Sequence, residues 1–452
     1  MTTARARTVS CIALAFLTGL GGGACGSDSK PGGTAGAGAH GPSDEPPLPP
    51  DENDPAFAIT GARSWYLVHN DLTPGDETFQ IEVTPPPGVS YIDAWLDGAG
   101  RVRLIAEGPV QRGSIDLSAI AAGDHEVLLA ADAKRTAFAR LGFTRSHPMY
   151  LVLSTDWDES DNTDVQLQLQ EELHAGHAEL TITHLVGPYT FTDPAVTAAR
   201  RAFLVQWLKG MQDQYDDEVG LHIHPYCNFV ETTSVTCRHE PSLAYATPDT
   251  SGYTVTNESY PEQEFETLLL AADALFQKNG LAKPTAYRAG GWSLAAHNLL
   301  ALASAGYVAD SSAVNWARLE EWDGQPGATL FSWTEEHWST MGDTSQPYYP
   351  SAADILKPGM PDVPVLEVPD NGALVDYVSA DEMIQIFTAN WPGGGLPEPR
   401  VLSIGFHPPN FNKGYQGRID DTLVHVDQFL ASADTGPVVY ARLSELTKVW
   451  KQ

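Results

Sequence analysis

The stretch Tyr150-Leu151-Val152-Leu153-Ser154-Thr155-Asp156-Trp157-Asp158-Glu159 sets a short apolar run directly before a pair of carboxylates. The run reads as a strand, and its acids fall where that strand ends. Working outward from Tyr150–Thr155, further strands are predicted over Leu180–His184, Val219–His222, Thr285–Arg288, Tyr307–Asp310, Val365–Val368, Val401–Gly405 and Val438–Arg442. Helices are predicted between them, over Val165–Leu173, Val196–Gln214, Glu262–Lys278, Leu294–Ala303, Ala380–Ala389 and Ile419–Ala433. In Glu262–Lys278, for example, Phe265, Leu268, Leu269, Ala272 and Leu275 recur at helical spacing. Alternation of this kind predicts an α/β fold with a parallel sheet, open or closed into a barrel.

In such a barrel the functional side chains sit just past the C-terminal ends of strands. Four of the predicted strands end in ionisable clusters. Asp156 and Asp158 can point the same way on an extended chain, one suited to bind a metal and the other to act as a base. In Glu218-Val219-Gly220-Leu221-His222-Ile223-His224-Pro225, the two histidines present their rings on one side, a geometry that chelates one ion. Arg288, in Ala286-Tyr287-Arg288-Ala289-Gly290-Gly291-Trp292-Ser293, can hold a carboxylate ionised and fixed in direction. The paired glycines after it let a substrate approach the backbone. His407, in Ser403-Ile404-Gly405-Phe406-His407-Pro408-Pro409-Asn410, suits a general acid near neutral pH. His184 is open to two readings, beside this face or in the core, and His174 and His177 are read as structural. Trp157, Trp292, Trp316 and Tyr226 are equally open, to stacking on sugar faces or to core packing.

Taken in order, the four clusters resemble the polysaccharide deacetylase family, the nodulation-B homology domain of carbohydrate esterases, from Tyr150 to about Leu446. The resemblance implies a distorted (β/α) barrel over residues 148–452 that removes acetyl groups from N-acetylated sugars of a polysaccharide or oligosaccharide. It makes Asp156 the base, and Asp158, His222 and His224 the ligands of a divalent metal, Zn²⁺ first, with Co²⁺ or Ni²⁺ as alternatives. Arg288 becomes the orienting group and His407 the acid. Asp310 would match the family's carboxylate that tunes the late histidine, and Tyr226, Gly291, Trp292 and His184 are expected toward the substrate. Two departures stand out: Trp157 separates carboxylates that are adjacent in the family, and the histidines read HxHP rather than HxxxH. The rival readings are an O-acetyl polysaccharide esterase on the same residues and a non-catalytic glycan-binding envelope lipoprotein. An amidohydrolase barrel also uses an HxH pair but wants it on the first strand, whereas here the DxD strand comes earlier.

The whole chain has 452 residues, 58 acidic against 26 basic side chains and a net charge of -32. That length predicts two domains with flanking segments, and the acidity argues against nucleic acid. Residues 1–24 read as an export signal, with Arg5 and Arg7, the apolar Cys11–Leu20 and the small residues Gly21–Ala24. Gly23-Ala24-Cys25 before Gly26-Ser27-Asp28 resembles a lipobox, although Gly22 stands where an aliphatic residue usually lies. That resemblance implies lipidation at Cys25, a bacterial envelope location and membrane contact only through the anchor; plain secretion is the alternative. Residues 25–56 read as a disordered tether. Residues 57–147 alternate in short segments and resemble an immunoglobulin-like β-sandwich that serves for spacing or packing. Cys227 and Cys237 in an oxidising compartment predict a disulfide. It would pin the long polar segment Tyr226–Tyr260 as a wall beside the substrate. Nothing in the sequence sets an oligomeric state.

Overall fold

Eight parallel strands carry the predicted alternation: Met149–Asp156, Ile182–Val186, Glu218–Ile223, Ala286–Ala289, Ala309–Asp310, Leu366–Glu367, Arg400–Phe406 and Val438–Tyr440. Seven follow one another across the sheet, from Leu366–Glu367 at one end through Met149–Asp156 to Arg400–Phe406 at the other. Val438–Tyr440 pairs with the first half of Met149–Asp156, on the edge that Ile182–Val186 takes over from Leu153 onward. The chain leaving Leu366–Glu367 then links the two ends. Asp370 N–H donates to Ala313 C=O (2.8 Å), while Gly372 and Val375 N–H donate to Ser403 and Gly405 C=O (2.8 Å each). An irregular segment therefore completes the ring of the distorted barrel.

The helices Asp164–Gly176, Ala198–Tyr215, Glu262–Lys278, Ala296–Ala305, Ala380–Asn390 and Lys413–Val426 occupy the predicted intervals. Capping sets several starts. Thr163 and Gln166 exchange hydrogen bonds as a capping box, as do Ser379 and Glu382. The last helix begins earlier than its apolar pattern suggests, because the Asn412 side chain caps the N–H groups of Gly414 and Tyr415, and it ends at Val426, where a short 3₁₀ turn over Asp427–Phe429 takes over.

Before the barrel, two sheets share one core. Ala58–Thr60, Thr78–Thr84, Val110–Asp116 and Ile105–Glu107 form the first; Trp65–Leu67, Ala139–Ser146, Gly123–Ala131, Ile92–Leu96 and Ala99–Arg103 form the second. Phe79, Ile81, Val83, Ile92, Val127, Leu129 and Phe143 pack between them. These sheets are joined directly to the barrel. The Ser64 and Trp65 N–H groups donate to Asp434 (2.8 Å each), Trp65 meets the edge of Trp391, and Asn70 and Thr73 bond the Tyr150 hydroxyl.

This computed structural model describes residues 45–247, 249–319 and 330–452. The expected signal segment, Cys25 and the tether as far as residue 44 lie outside those residues. The remainder of the expected tether, 45–56, is not free chain. Leu48 exchanges backbone hydrogen bonds with Arg135 and Ala137, and Asp54 N–H donates to Phe138 C=O. Among the described residues no helix is long and apolar enough to cross a membrane.

Candidate metal centre

Side-chain parity decides which residues reach the barrel interior. Tyr150 and Val152 pack inside with Leu185, Ala286, Ala309, Leu366 and Val401, whereas Met149, Leu151 and Leu153 pack outward toward the helices. Asp156 has the inward parity. His222 and His224 alternate with the outward Leu221 and Ile223, and Arg288 with Tyr287 and Ala289. His407 follows the outward Phe406. Four strand ends thus deliver their polar groups to one mouth of the barrel.

Asp158, His222 and His224 converge there, each offering a donor atom within 4.8 Å of the others. Asp158 Oδ1 lies 3.1 Å from His222 Nε2 and 3.2 Å from His224 Nε2. Each histidine turns Nδ1 to a main-chain carbonyl, Arg288 C=O (3.0 Å) and Tyr253 C=O (2.9 Å). A carbonyl only accepts, so Nδ1 carries the hydrogen and Nε2 keeps its lone pair for a cation. Donors about 2.0–2.1 Å from a tetrahedral zinc are separated by roughly 3.3 Å, close to the spacings seen here. The donor set fits a divalent metal. Gly290 makes the arrangement possible, since a Cβ there would stand 2.5 Å from the His224 ring. Gly291, at φ +60°, gives the same room to the Tyr245 ring. The two glycines make space first for the protein's own rings, although Gly291 also lines the pocket.

Asp156 is buried against Arg288, whose Nη1 donates to Oδ1 at 3.0 Å. Arg288 is itself fixed by Ser311, through Nε to the carbonyl and Nη2 to the hydroxyl (2.9 Å each). Asp370 stands 3.8 Å from the same guanidinium and accepts from Trp292 Nε1. Burial pushes its carboxyl up to about 6, against the pull of Arg288.

His407 lies on the far side, with Nε2 3.7 Å from Asp158 Oδ2 and Nδ1 bonded to Asp376 at 3.0 Å. Burial alone would lower its pKa, but Asp158 and Asp376 together carry it up to about 10. Burial likewise opposes ionisation of Asp158, yet in the metal-free protein His407, and His224 and His222 whenever they carry a proton on Nε2, hold it well below the usual carboxylate range. The pocket over these groups measures about 110 Å³ and is walled by Tyr245, Tyr253, Trp292 and Tyr377. A polar cleft of about 350 Å³ adjoins it, sharing Asp158, Tyr253, Tyr377 and His407 and adding Asn410, Asn412 and Tyr415.

Several expectations need correction. The carboxylate beside His407 is Asp376, not Asp310. Asp310 follows the inward Ala309 and so faces away, where it pairs with the buried Glu367 and accepts from Ser312. His184 precedes the inward Leu185 and also turns outward, to Asp217 (3.0 Å) and Trp207. It is core, not pocket. Trp157 packs in the core near Trp207, and Trp316 lies against Phe331. Tyr226 reaches the main-chain oxygen of Asp158 (3.2 Å) and packs on Tyr189 and Tyr253 rather than lining the inner pocket. His174 bonds Asp217, and His177 bonds Asp420 and Asp427. The predicted disulfide Cys227–Cys237 is present. The sequence reading missed Asp376, Tyr245, Tyr253 and Tyr377, which stand on irregular segments where no period marks direction.

Fold and site together define an α/β barrel with a three-donor candidate metal centre flanked by an arginine-held carboxylate and a carboxylate-held histidine. No family model matches the chain, and no curated protein matches it. Among solved structures it is similar to a protein from Mycobacterium smegmatis assigned as a polysaccharide deacetylase (13% identity, 67% of this chain and 89% of that one, TM-score 0.40). It is also similar to one from Parabacteroides distasonis assigned as a glycoside hydrolase/deacetylase (12%, 67% and 71%, TM-score 0.41). A family 4 acetyl xylan esterase from Clostridium thermocellum, in complex with a cobalt ion, overlaps more loosely (11%, 66% and 90%, TM-score 0.30). Likenesses this loose leave family and chemistry to be read from the residues.

Proposed function

We propose that this chain is a metal-dependent hydrolase that removes acetyl groups from N-acetylated sugars of a polysaccharide, with zinc as the metal. The observation that carries the reading is the order of groups across one pocket floor: Arg288-held Asp156, the three donors, then Asp376-held His407. Asp158, His222 and His224 would hold a divalent ion, which when bound would supply Lewis-acid polarisation of an acyl carbonyl and a more acidic water. Asp156 takes the proton of the attacking water, and Arg288 keeps that carboxylate aligned. His407 gives its proton to the leaving nitrogen. An amine cannot leave without a proton, and His407 stands where it can supply one. The inner pocket, about 110 Å³ directly over the donor set, suits an acetyl group. The adjoining polar cleft suits the hydroxyls of the sugar. Export through residues 1–24 and lipidation at Cys25 would set this chemistry in the envelope.

Acetate release from N-acetylated chitin oligomers, peptidoglycan and O-acetylated xylan tests the substrate class. Release from the first two supports the proposal, release from xylan alone moves it to an esterase, and release from none removes it. Asp156→Asn should abolish turnover while zinc stays bound.

A further inference from the structure

One residue of the long segment between Tyr226 and Tyr260 touches two of the three metal donors by different atoms. The Tyr253 main-chain carbonyl accepts from His224 Nδ1 (2.9 Å), and its hydroxyl donates to Asp158 Oδ2 (2.7 Å). Its ring also stacks on His224, with centroids 4.3 Å apart and planes 27° apart. Asp158 Oδ1 faces both Nε2 atoms, so the phenol occupies the oxygen that points away from them. His407 Nε2 stands 3.7 Å from that oxygen, and Tyr245 Oη is a second neighbour of His224 Nδ1 at 3.3 Å.

We infer that Tyr253 is a positioning residue of the metal centre, directing one oxygen of Asp158 and one nitrogen of His224 toward the ion. The inference rests on the metal-centre reading above and adds to it the support from outside the barrel strands. A carboxylate with both oxygens free can grip an ion with either or both; a phenol on Oδ2 leaves Oδ1 as the single donor. The carbonyl does the matching work on His224, holding the ring in the tautomer whose Nε2 carries the lone pair. Tyr253 is held in turn by its own segment. Its N–H donates to Ser251 Oγ (3.1 Å), Ser251 C=O accepts from Cys227 N–H (2.7 Å), and Cys227 is bridged to Cys237.

Tyr253→Phe removes the phenol and keeps ring and carbonyl. Zinc affinity, measured by competition with a chromophoric chelator, should weaken about 10- to 100-fold, as outer-shell losses do. The visible spectrum of the cobalt-loaded variant should also shift as Asp158 changes its grip. A thermal melt like that of the wild type would place both changes at the site rather than in the fold. The Cys227→Ser/Cys237→Ser double variant should weaken zinc in the same direction. A Tyr253→Phe variant that binds zinc as tightly as the wild type, or more tightly, overturns the inference. Wild-type protein that takes up no stoichiometric zinc, cobalt or nickel overturns the metal centre itself, a separate failure.

Discussion

His407 carries Asp376 on one nitrogen and has Asp158 near the other. In the metal-free protein its pKa of about 10 lies above the ordinary histidine value of ~6.5. The fold therefore keeps a proton that the unfolded chain releases between those values. The resulting stabilisation is complete below pH ~6.5 and is lost as pH rises toward 10. Asp376→Asn removes one of the carboxylates responsible, beside Asp158 and Asp156. NMR titration of the metal-free variant should show the His407 ring titrating roughly one unit lower or more, and alkaline unfolding should begin earlier. Arg288→Lys should keep the fold and the metal yet lower kcat by about 100-fold or more, because an ammonium cannot hold Asp156 and both Ser311 oxygens together. The residues legible in the sequence were those on strands, where parity and position coincide. Parity also exposes the two misplacements. Ala309 and Leu185 mark the inward face, so Asp310 and His184 beside them point the other way. Asp376 was hidden because the segment that closes the ring pairs irregularly and shows no alternation.

At the scale of elements, the eight strands and six helices were readable because each is an apolar run of the right period between polar breaks. Less readable were strands inside the sandwich. Ala139–Ser146 holds Arg140, Gly142 and Arg145 among its apolar residues, and only pairing on both sides makes it a strand. Removing the capping hydroxyl with Thr163→Ala should cost about 1 kcal/mol in denaturant unfolding. The Cys227–Cys237 bridge closes a short loop, with a sequence separation of 10. Replacing both cysteines by serine should cost about 2–3 kcal/mol and lower the Tm by several degrees, provided unfolding is reversible.

At the scale of the molecule, the β-sandwich and the barrel are joined by polar and aromatic contacts rather than by a bare linker. Asp434 accepts the N–H groups of Ser64 and Trp65, while Arg63 bonds Asp76 and contacts Asp434. Leu396 and Ser146 bond across the same joint. Calorimetry should accordingly record one cooperative transition for both parts. Asp434→Ala should lower the Tm, or split that transition in two, since it removes the shared acceptor of an exposed and a partly buried N–H group. Two independent melts in the wild type would contradict this. The joint also sets which of its residues are free to vary. Its partners are main-chain donors on one side and a carboxylate from the far end of the sequence on the other. Any residue but proline supplies such a donor, so the sandwich side of the joint tolerates changes of side chain at Ser64 while the barrel side depends on Asp434 itself.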